Sequence, residues 1–583
     1  MLKKLLVISL ILNLLVLPNF VFGQTKQKIS LLLFNGKVFT ADAFFSTAEA
    51  VAVDGEKIVA VGRGDDLKAR YQAVKEIDLG GKLVTPGFND AHVHFLRGAV
   101  ALLNVNLTDA KTLDEAKARV AAKVKEVKQG EWIVGRGWDH TLWGGKFPSR
   151  KDLDAVAPGN PVFLVRVDGH VGWVNSKALE MAKIDKTTKS PEGGEIERDA
   201  TGEATGILKE TSQGLVSRLI PQPSPEQLNK GMELALDMAR RYGITSVQDN
   251  SGYETTKLYR EFLKADKLTV RVSEWQNFED TVEELKRQRD EFASFKDDKN
   301  RLKLGAVKGY VDGTLGSKTA AMLAPFSDDA NNSGIPRRPA EELTRMMVER
   351  DKEGFQITLH AIGDKANRMA LDGFAVAQKN RPTGIFTVYD GQTLRKDGSK
   401  SGVSNNDLNN PLRHRVEHAQ VVNPSDFKRF SELGIIASMQ PSHAISDKRW
   451  AESRLGEYRV LGAYAWHLMQ SYNIHVPFGT DFPVESINPY NTLYAAVSRQ
   501  DAEGIPIGGW QPQEKLSIAA AIRCHTFESA YAEFAEKEKG IIQPGMLADL
   551  VVHSKDLLTV EPKEILTTEP VYTIFNGRVV YQK

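Results

Sequence analysis

Short apolar runs and helical patterns alternate through the long middle of the chain. Most of the runs are separated by segments with the apolar spacing of helices, such as 225–242, 340–353 and 364–378. Eight candidate strands can be listed, at 82–88, 244–249, 268–275, 302–311, 355–361, 414–419, 434–440 and 475–480. Strand and helix alternating in this way predict an α/β protein built on a (β/α)8 TIM barrel.

Both ends of the chain have a different pattern, that of short strands joined by tight turns. An Asn-Gly dipeptide, which favours a hairpin turn, follows an apolar run at 35–36 and again at 576–577. The two β-rich ends predict one small β-sandwich domain formed from both chain ends. We expect it to comprise residues 24–81 and 535–583, with the barrel domain, 82–534, inserted into it.

A long stretch separates the first two candidate strands. It contains the apolar run 162–167 and a Gly-rich segment at 193–206. We interpret residues from about 95 to 240 as an inserted α/β subdomain that covers the mouth of the barrel. Residues 384–410, rich in Gly, Ser, Asn and Asp, fit a long exposed loop between strands five and six.

The first residues have the pattern of a secretory signal peptide. Lys3 and Lys4 precede an apolar run at 5–17, and small or modest side chains follow at 21–23. The run of about 13 residues is shorter than the roughly 20 needed to cross a bilayer, which argues against a stable membrane span. The sequence therefore predicts a signal peptide over 1–23 and an exported protein, periplasmic or secreted.

Composition narrows the class of partner. The chain has 583 residues, of which 41% are hydrophobic and 26% charged, as in an ordinary globular protein. A net charge of +1 gives no reason to expect nucleic acid, so a small molecule is the expected partner, and a homodimer is left open. Cys524 is the only cysteine, which excludes an intrachain disulfide.

A His-x-His pair follows the first candidate strand. His92 and His94 follow the segment 85–91, and in extended backbone their spacing points both imidazoles to the same side. Such a pair suits one metal ion. Alone it is a weak signal, because two ordinary histidines at a strand end have the same pattern.

Other chemically active side chains lie at or near the carboxyl ends of other candidate strands. Barrel enzymes place their active sites at that end. These residues are Lys308, in an otherwise apolar strand, His360, His418 and Asp481. Their convergence with the His-x-His pair predicts a metal-dependent active site.

The order His-x-His, Lys, His, His, Asp on strands one, four, five, six and eight resembles the amidohydrolase superfamily. The phrases VDGTLGS at 311–317 and LHAIGD at 359–364 resemble its amidohydrolase 3 branch, which includes N-substituted formamide deformylases. The resemblance extends to IIQPGMLADL at 541–550, where the family's chain returns to the sandwich.

The resemblance implies a site for one or two divalent ions. His92, His94 and Asp481 would hold one ion, and His360 and His418 a second. Lys308 would bridge them as a carbamate, because an ammonium group has no lone pair to offer a cation. Zinc suits a mixed imidazole and carboxylate site, with manganese and iron left open. If Lys308 instead reaches solvent, the site holds one ion or is built differently.

This site implies hydrolysis of a non-peptide C–N bond, in an amide or an N-acyl or N-formyl amine. Metal-activated hydroxide would attack the acyl carbon, and Asp481 would accept the water proton and return it to the leaving amine. The alternatives are a cyclic amide or imidazolone hydrolase, a deaminase, or a catalytically inactive periplasmic binding barrel.

Further candidates lie outside the set of predicted ligands. His170, in the insertion, is a second catalytic candidate that would cap the substrate or stabilise the oxyanion. His443, after strand seven, is a candidate substrate contact. Trp143 and Trp173 could form an aromatic wall for the substrate, although a place in the core is an equal alternative.

Overall fold

The computed structural model describes residues 26–583, except 168, 170, 192, 296, 297, 299, 382–384, 388–392 and 396–409. The predicted signal peptide and most of the predicted loop 384–410 lie outside the described residues, so both stay predictions. Among the helices that the structure describes, none is both long and apolar enough to cross a membrane.

Seven parallel strands form the wall of a barrel. Each pairs in parallel with its neighbours, in chain order. The strands are Phe88–Val93, Ile244–Asp249, Arg271–Asn277, Leu302–Tyr310, Ile357–Ala361, Arg415–His418 and Ile436–Ser438. We call them barrel strands one to seven.

The segment 475–482 closes the gap between barrel strands seven and one. On one side, Met439 N donates to Pro477 O and Gly479 N donates to Met439 O. On the other side, Ala91 N donates to Phe478 O and Asp481 N donates to His92 O. The segment thus takes the place of an eighth strand, and the predicted TIM barrel is confirmed.

The predicted strand 82–88 is in fact two strands. Leu83–Pro86 belongs to the sandwich, whereas Phe88–Val93 is barrel strand one. Gly87 lies between them, and its N–H donates to Asp549 O. A Cβ at Gly87 would lie 2.2 Å from Thr245 Oγ1, so the close approach of this junction to barrel strand two requires glycine there.

Helices cover the outside of the barrel. They are Phe95–Ala101, Pro225–Tyr242, Thr256–Lys264, Val282–Ser294, Ala340–Lys352, Asp364–Asn380, Phe427–Leu433, Pro441–Arg459, Trp466–Ser471, Pro489–Ser498 and Ile518–Arg523. The helix Pro225–Tyr242 shows why such segments fold locally. Ser224 and Gln227 form a capping box at its start, and it ends at Gly243, whose φ is 74°.

Strands from both chain ends form the two sheets of the sandwich, as predicted. One sheet has the order Lys57–Gly62, Ala50–Asp54, Gln27–Phe34, Tyr71–Asp78. The other has the order Arg578–Gln582, Pro570–Phe575, Leu550–His553, Leu83–Pro86, Lys37–Phe39, Thr47–Ala48. Buried aliphatic side chains, among them Leu33, Val53, Val552 and Ile574, form the shared core.

An inserted α/β subdomain follows barrel strand one, again as predicted. Its sheet has the order Gly194–Arg198, Ala204–Glu210, Val171–Val174, Val162–Arg166, Ile133–Trp138, Val105–Asn106. Its helices are Leu113–Val124, Arg150–Asp154, Ser176–Met181 and Gly214–Ser217. Trp138 and Trp173 are fully buried in its core.

A buried ion pair joins the barrel to the sandwich. Arg271 Nε lies 2.6 Å from Asp549 Oδ2, and the two side chains are only 3% and 4% exposed. The Asp549→Ala substitution leaves a buried guanidinium without its carboxylate, so we expect the free energy of unfolding to fall by about 3–5 kcal/mol. Urea denaturation measures the change.

The matched control removes an ion pair from the surface. Lys257 and Glu254 pair at 2.7 Å with side chains 67% and 78% exposed. Lys257→Ala is expected to change the free energy of unfolding by no more than about 1 kcal/mol. Equal effects of the two substitutions would contradict a structural role for the buried pair.

Candidate metal centre

The predicted ligands meet at the carboxyl ends of the barrel strands. His92 lies in barrel strand one and His94 directly follows it, while His418 ends barrel strand six. His418 and Asp481 have φ values of 72° and 56°. Left-handed backbone is uncommon at residues other than glycine, and strained conformations of this kind cluster at functional sites.

Asp481 lies at the centre of the cluster. Its Oδ1 is 3.2 Å from His94 Nε2 and 3.5 Å from His92 Nε2, and its Oδ2 is 3.7 Å from His443 Nε2. The potential ligand atoms form two sets of three, each within 4.8 Å: His92, His94 and Asp481; and His418, His443 and Asp481.

Lys308 and His360 lie beside these sets. Lys308 is 2% exposed, and its Nζ is 3.4 Å from His92 Nε2. The centroid of the His360 ring is 4.7 Å from that of His418. The structure therefore brings together all six predicted ligands, and adds His443 to them.

A protein acceptor holds one ring nitrogen of each of the four predicted histidine ligands. The acceptors are Glu417 Oε2 for His92 Nδ1 (2.6 Å), Asn250 O for His94 Nδ1 (3.1 Å), Gln440 Oε1 for His418 Nδ1 (2.7 Å) and Gly313 O for His360 Nε2 (2.9 Å). When the N–H donates to such an acceptor, the tautomer is fixed and the other ring nitrogen keeps its lone pair for a metal.

Glu417 is an orienting residue that the sequence analysis missed. It is fully buried, and its Oε1 accepts hydrogen bonds from Arg415 Nε (2.5 Å) and the Thr358 hydroxyl. Burial alone would raise the pKa of Glu417, but Arg415 and His92 hold the pKa well below its usual range. Glu417 is therefore a carboxylate acceptor for His92. Its position two residues after Arg415, on the same side of a strand, was the available signal.

Burial sets the charge of the cluster. It lowers the pKa of His92 to about 4 and that of His360 to about 3, so both rings are neutral at pH 7, the form that binds metal. Burial also lowers the pKa of Lys308 to about 8, although Glu417 and Asp481 oppose the shift. A larger fraction of its amine is thus uncharged at neutral pH than for a surface lysine.

The residues fit a divalent metal ion. Within the described part of the chain, the buried atoms Asp481 Oδ1 and His443 Nε2 have no hydrogen-bond partner. A buried polar atom without a partner costs about 1–3 kcal/mol, and coordination to a cation would satisfy both atoms. Imidazole nitrogens with a carboxylate are the ligands typical of zinc.

The structure does not bring the two predicted tryptophans to the cluster. Trp173 is fully buried, and its Nε1 donates to Ser149 O. Trp143 packs against the same core of the inserted subdomain, and its Nε1 donates to Ala110 O. The covered ring of Trp173 cannot line a substrate pocket, and the half-buried ring of Trp143 packs against the same core, so the structure favours the alternative of a core role. His170 lies outside the described residues.

Comparisons with known proteins agree with this geometry. Residues 75–581 match the sequence model of the amidohydrolase family. Protein LONG AFTER FAR-RED 3 of Arabidopsis thaliana is 32% identical over 94% of this chain and 91% of its own length. N-substituted formamide deformylase of Arthrobacter pascens is 26% identical over 96% of this chain and 99% of its own length.

A solved structure shares the fold. The solved structure is that of an uncharacterized metal-dependent hydrolase from Pyrococcus horikoshii OT3. The two structures match with a TM-score of 0.72 and 27% sequence identity, over 91% of this chain and 99% of the other. The resemblance to the amidohydrolase 3 branch is confirmed. Since the family match spans most of the sequence, from the sandwich through the whole barrel, this chain belongs to the amidohydrolase family of metal-dependent hydrolases.

Proposed function

We propose that the protein hydrolyses the C–N bond of a small N-acyl or N-formyl amine. In this proposal the reaction uses a divalent metal ion, zinc, held by the cluster of residues around Asp481. The observation that carries the proposal is the placement of a buried carboxylate among imidazole rings, with one oxygen lacking a hydrogen-bond partner among the described residues. The likeness to N-substituted formamide deformylase along nearly the whole of both chains supports this choice of substrate.

Asp481 supplies the acid–base chemistry in this proposal. A bound divalent ion would lower the pKa of a water molecule and polarise the carbonyl group of the substrate. The Asp481 carboxylate takes up the proton released by water and returns it to the leaving nitrogen, because an amide anion is a poor leaving group. The imidazoles of His92 and His94, fixed by Glu417 and Asn250, hold the geometry in which this occurs.

We further propose that Lys308 carries a carbamate. The Lys308 amine is buried within 3.4 Å of His92 Nε2, where a positive charge would oppose a metal ion. The uncharged amine would form an N–C bond to carbon dioxide and lose one proton to solvent, which gives a carbamate anion whose oxygens can bind a metal. The lowered pKa of Lys308 supports this proposal because it increases the fraction of amine that can react.

Metal analysis with a substrate panel tests the proposed function. We expect the purified protein to contain zinc by elemental analysis and to release amine from N-formyl or N-acyl amines. A chelator should abolish this turnover, and zinc, but not magnesium, should restore it. Nucleobase amines and imidazolones serve as the comparison panel. Metal-replete protein that hydrolyses none of the N-acyl or N-formyl amines, or only the comparison panel, would refute the proposal.

A further inference from the structure

Two carboxyl groups are buried side by side in barrel strands two and three. Asp249 is the last residue of strand two, and it lies opposite Glu274 of strand three in the pairing of the two strands. Both residues are fully buried. Two negative charges this close together repel strongly in a medium of low dielectric constant, so one member of such a pair keeps its proton.

Asp249 is surrounded by hydrogen-bond donors. They come from the helix that follows His94, from the helix after barrel strand two and from the loop before that helix: Phe95 N to Oδ1 (2.6 Å), the Tyr259 hydroxyl to Oδ2 (2.7 Å) and the Ser251 hydroxyl to Oδ1 (2.8 Å). Both oxygens of Asp249 therefore act as acceptors, as those of an ionised carboxylate do.

Glu274 has one oxygen without a donor. Its Oε1 accepts from Gly252 N at 2.6 Å, whereas its buried Oε2 receives no hydrogen bond from the residues that the structure describes. Within the same part of the chain, no lysine, arginine or histidine pairs with either carboxyl group. A proton on Glu274 Oε2 would make this atom a donor towards Asp249.

The directions of the pKa shifts agree with a proton on Glu274. Burial, with the charge of Asp249, raises the pKa of Glu274 well above its usual range. Burial also raises the pKa of Asp249, but the donors around Asp249 oppose that shift.

The carboxyl pair holds a loop that contacts the metal cluster. Asn250 O lies 3.1 Å from His94 Nδ1. The pair fixes this loop on both sides of Asn250, because Asp249 precedes it and Gly252 N donates to Glu274. The pair also fixes the first backbone N–H after His94, which donates to Asp249. The position of the His94 ring therefore depends on the pair.

We propose that Asp249 and Glu274 share one proton, carried by Glu274, and that the pair positions His94 for metal binding. The proposal rests on the metal-binding role of His94 in the proposed function. Both carboxyl groups act through the backbone around His94 and Asn250. Loss of the proton would bury two charges together, and loss of the anion would leave three donors without their acceptor.

Two isosteric substitutions distinguish the two carboxyl groups. Glu274→Gln replaces the protonated acid with an amide that can still donate to Asp249 and accept from Gly252 N, so the affinity for Zn²⁺ should not change. Asp249→Asn turns one acceptor oxygen into a donor that faces other donors, so the affinity should fall by about 10–100-fold. Competition with a chromophoric chelator measures both affinities.

A buried aspartate in another part of the barrel is the matched control. Asp426 is 1% exposed and pairs with Arg368. Asp426→Asn should lower stability and keep the affinity for zinc, which separates a general loss of stability from a loss of positioning. If Asp249→Asn does not fold, Tyr259→Phe removes one donor to Asp249 without adding volume, and it should weaken zinc binding by a smaller factor.

The shared proton also predicts a pH dependence of stability. The folded protein keeps a proton on Glu274 that the unfolded chain, with an ordinary glutamate pKa of 4.5, releases. The unaltered protein should therefore lose stability relative to Glu274→Gln as the pH rises above that value, and the ratio of the two unfolding equilibrium constants should change by up to about tenfold per pH unit. Urea denaturation of the metal-free proteins over a range of pH measures this ratio.

The results that would overturn the inference do not involve turnover. Parallel stability profiles of the unaltered protein and Glu274→Gln would overturn the shared proton. A loss of zinc affinity in Glu274→Gln as large as that in Asp249→Asn would overturn its assignment to Glu274. Unchanged affinity in Asp249→Asn, or in Tyr259→Phe where that variant replaces it, would overturn the positioning role. Protein that binds zinc but hydrolyses no N-acyl amine would refute the proposed function and leave this inference standing.

Discussion

The Asp481→Asn variant is expected to lose about 10²–10⁴-fold in kcat at saturating zinc. Asparagine keeps the shape of the side chain and one oxygen ligand but cannot accept a proton from water or return it to the leaving nitrogen. KM should change less than kcat, since the side chain acts in the chemical step. Steady-state kinetics on the N-acyl amine turned over best, with the zinc content of each preparation measured, gives the comparison.

A second buried aspartate provides the control for this variant. Asp426 is 1% exposed and pairs with Arg368 and Arg429, which lie in the helices Asp364–Asn380 and Phe427–Leu433. Asp426→Asn should lower stability while leaving kcat unchanged at full metal occupancy. Metal-replete Asp481→Asn protein with normal kcat would show that Asp481 does not transfer the proton.

Replacing Lys308 with alanine is expected to weaken metal binding by about 10–100-fold. Activity should fall together with metal occupancy. The substitution removes the group that would carry the carbamate and leaves a cavity next to His92. A small carboxylate such as acetate can enter that space and supply the missing oxygens. Activity of Lys308→Ala should therefore rise with acetate, and metal titration in its presence should show tighter binding.

The other lysine of barrel strand four is the matched control. Lys303 lies near the opposite end of the strand, where its Nζ donates to Glu533 O at 2.6 Å. Lys303→Ala should keep its metal and show no response to acetate. If Lys308→Ala kept full occupancy and activity, a carbamate ligand at this position would be ruled out.

The sequence predicted the barrel and its ligands because both have local signatures. His360 and His418 lie at the ends of candidate strands, and the carboxyl ends of parallel strands meet at one face of a barrel. The boundary of barrel strand one was missed for a related reason. The apolar residues on either side of Gly87 are buried in two different sheets, and burial alone does not reveal where one sheet ends.

The rest of the site depends on contacts between distant residues. Glu417 orients His92 across 325 positions of sequence, and no local pattern encodes that pairing. His443 was recognised as a candidate, but its place beside Asp481 follows from the path of the chain after barrel strand seven. The tryptophans of the insertion were open to either role, because a large aromatic ring suits a core and a pocket equally well.

The position of Leu83–Pro86 has a consequence for biosynthesis. This strand pairs with Leu550–His553, which the ribosome adds only after the entire barrel, and a single residue separates it from barrel strand one. Until that late partner arrives, one edge of Leu83–Pro86 keeps its backbone groups open to other chains. Complete folding of the segment that carries His92 and His94 therefore depends on the synthesis of Leu550–His553, more than four hundred residues later in the chain.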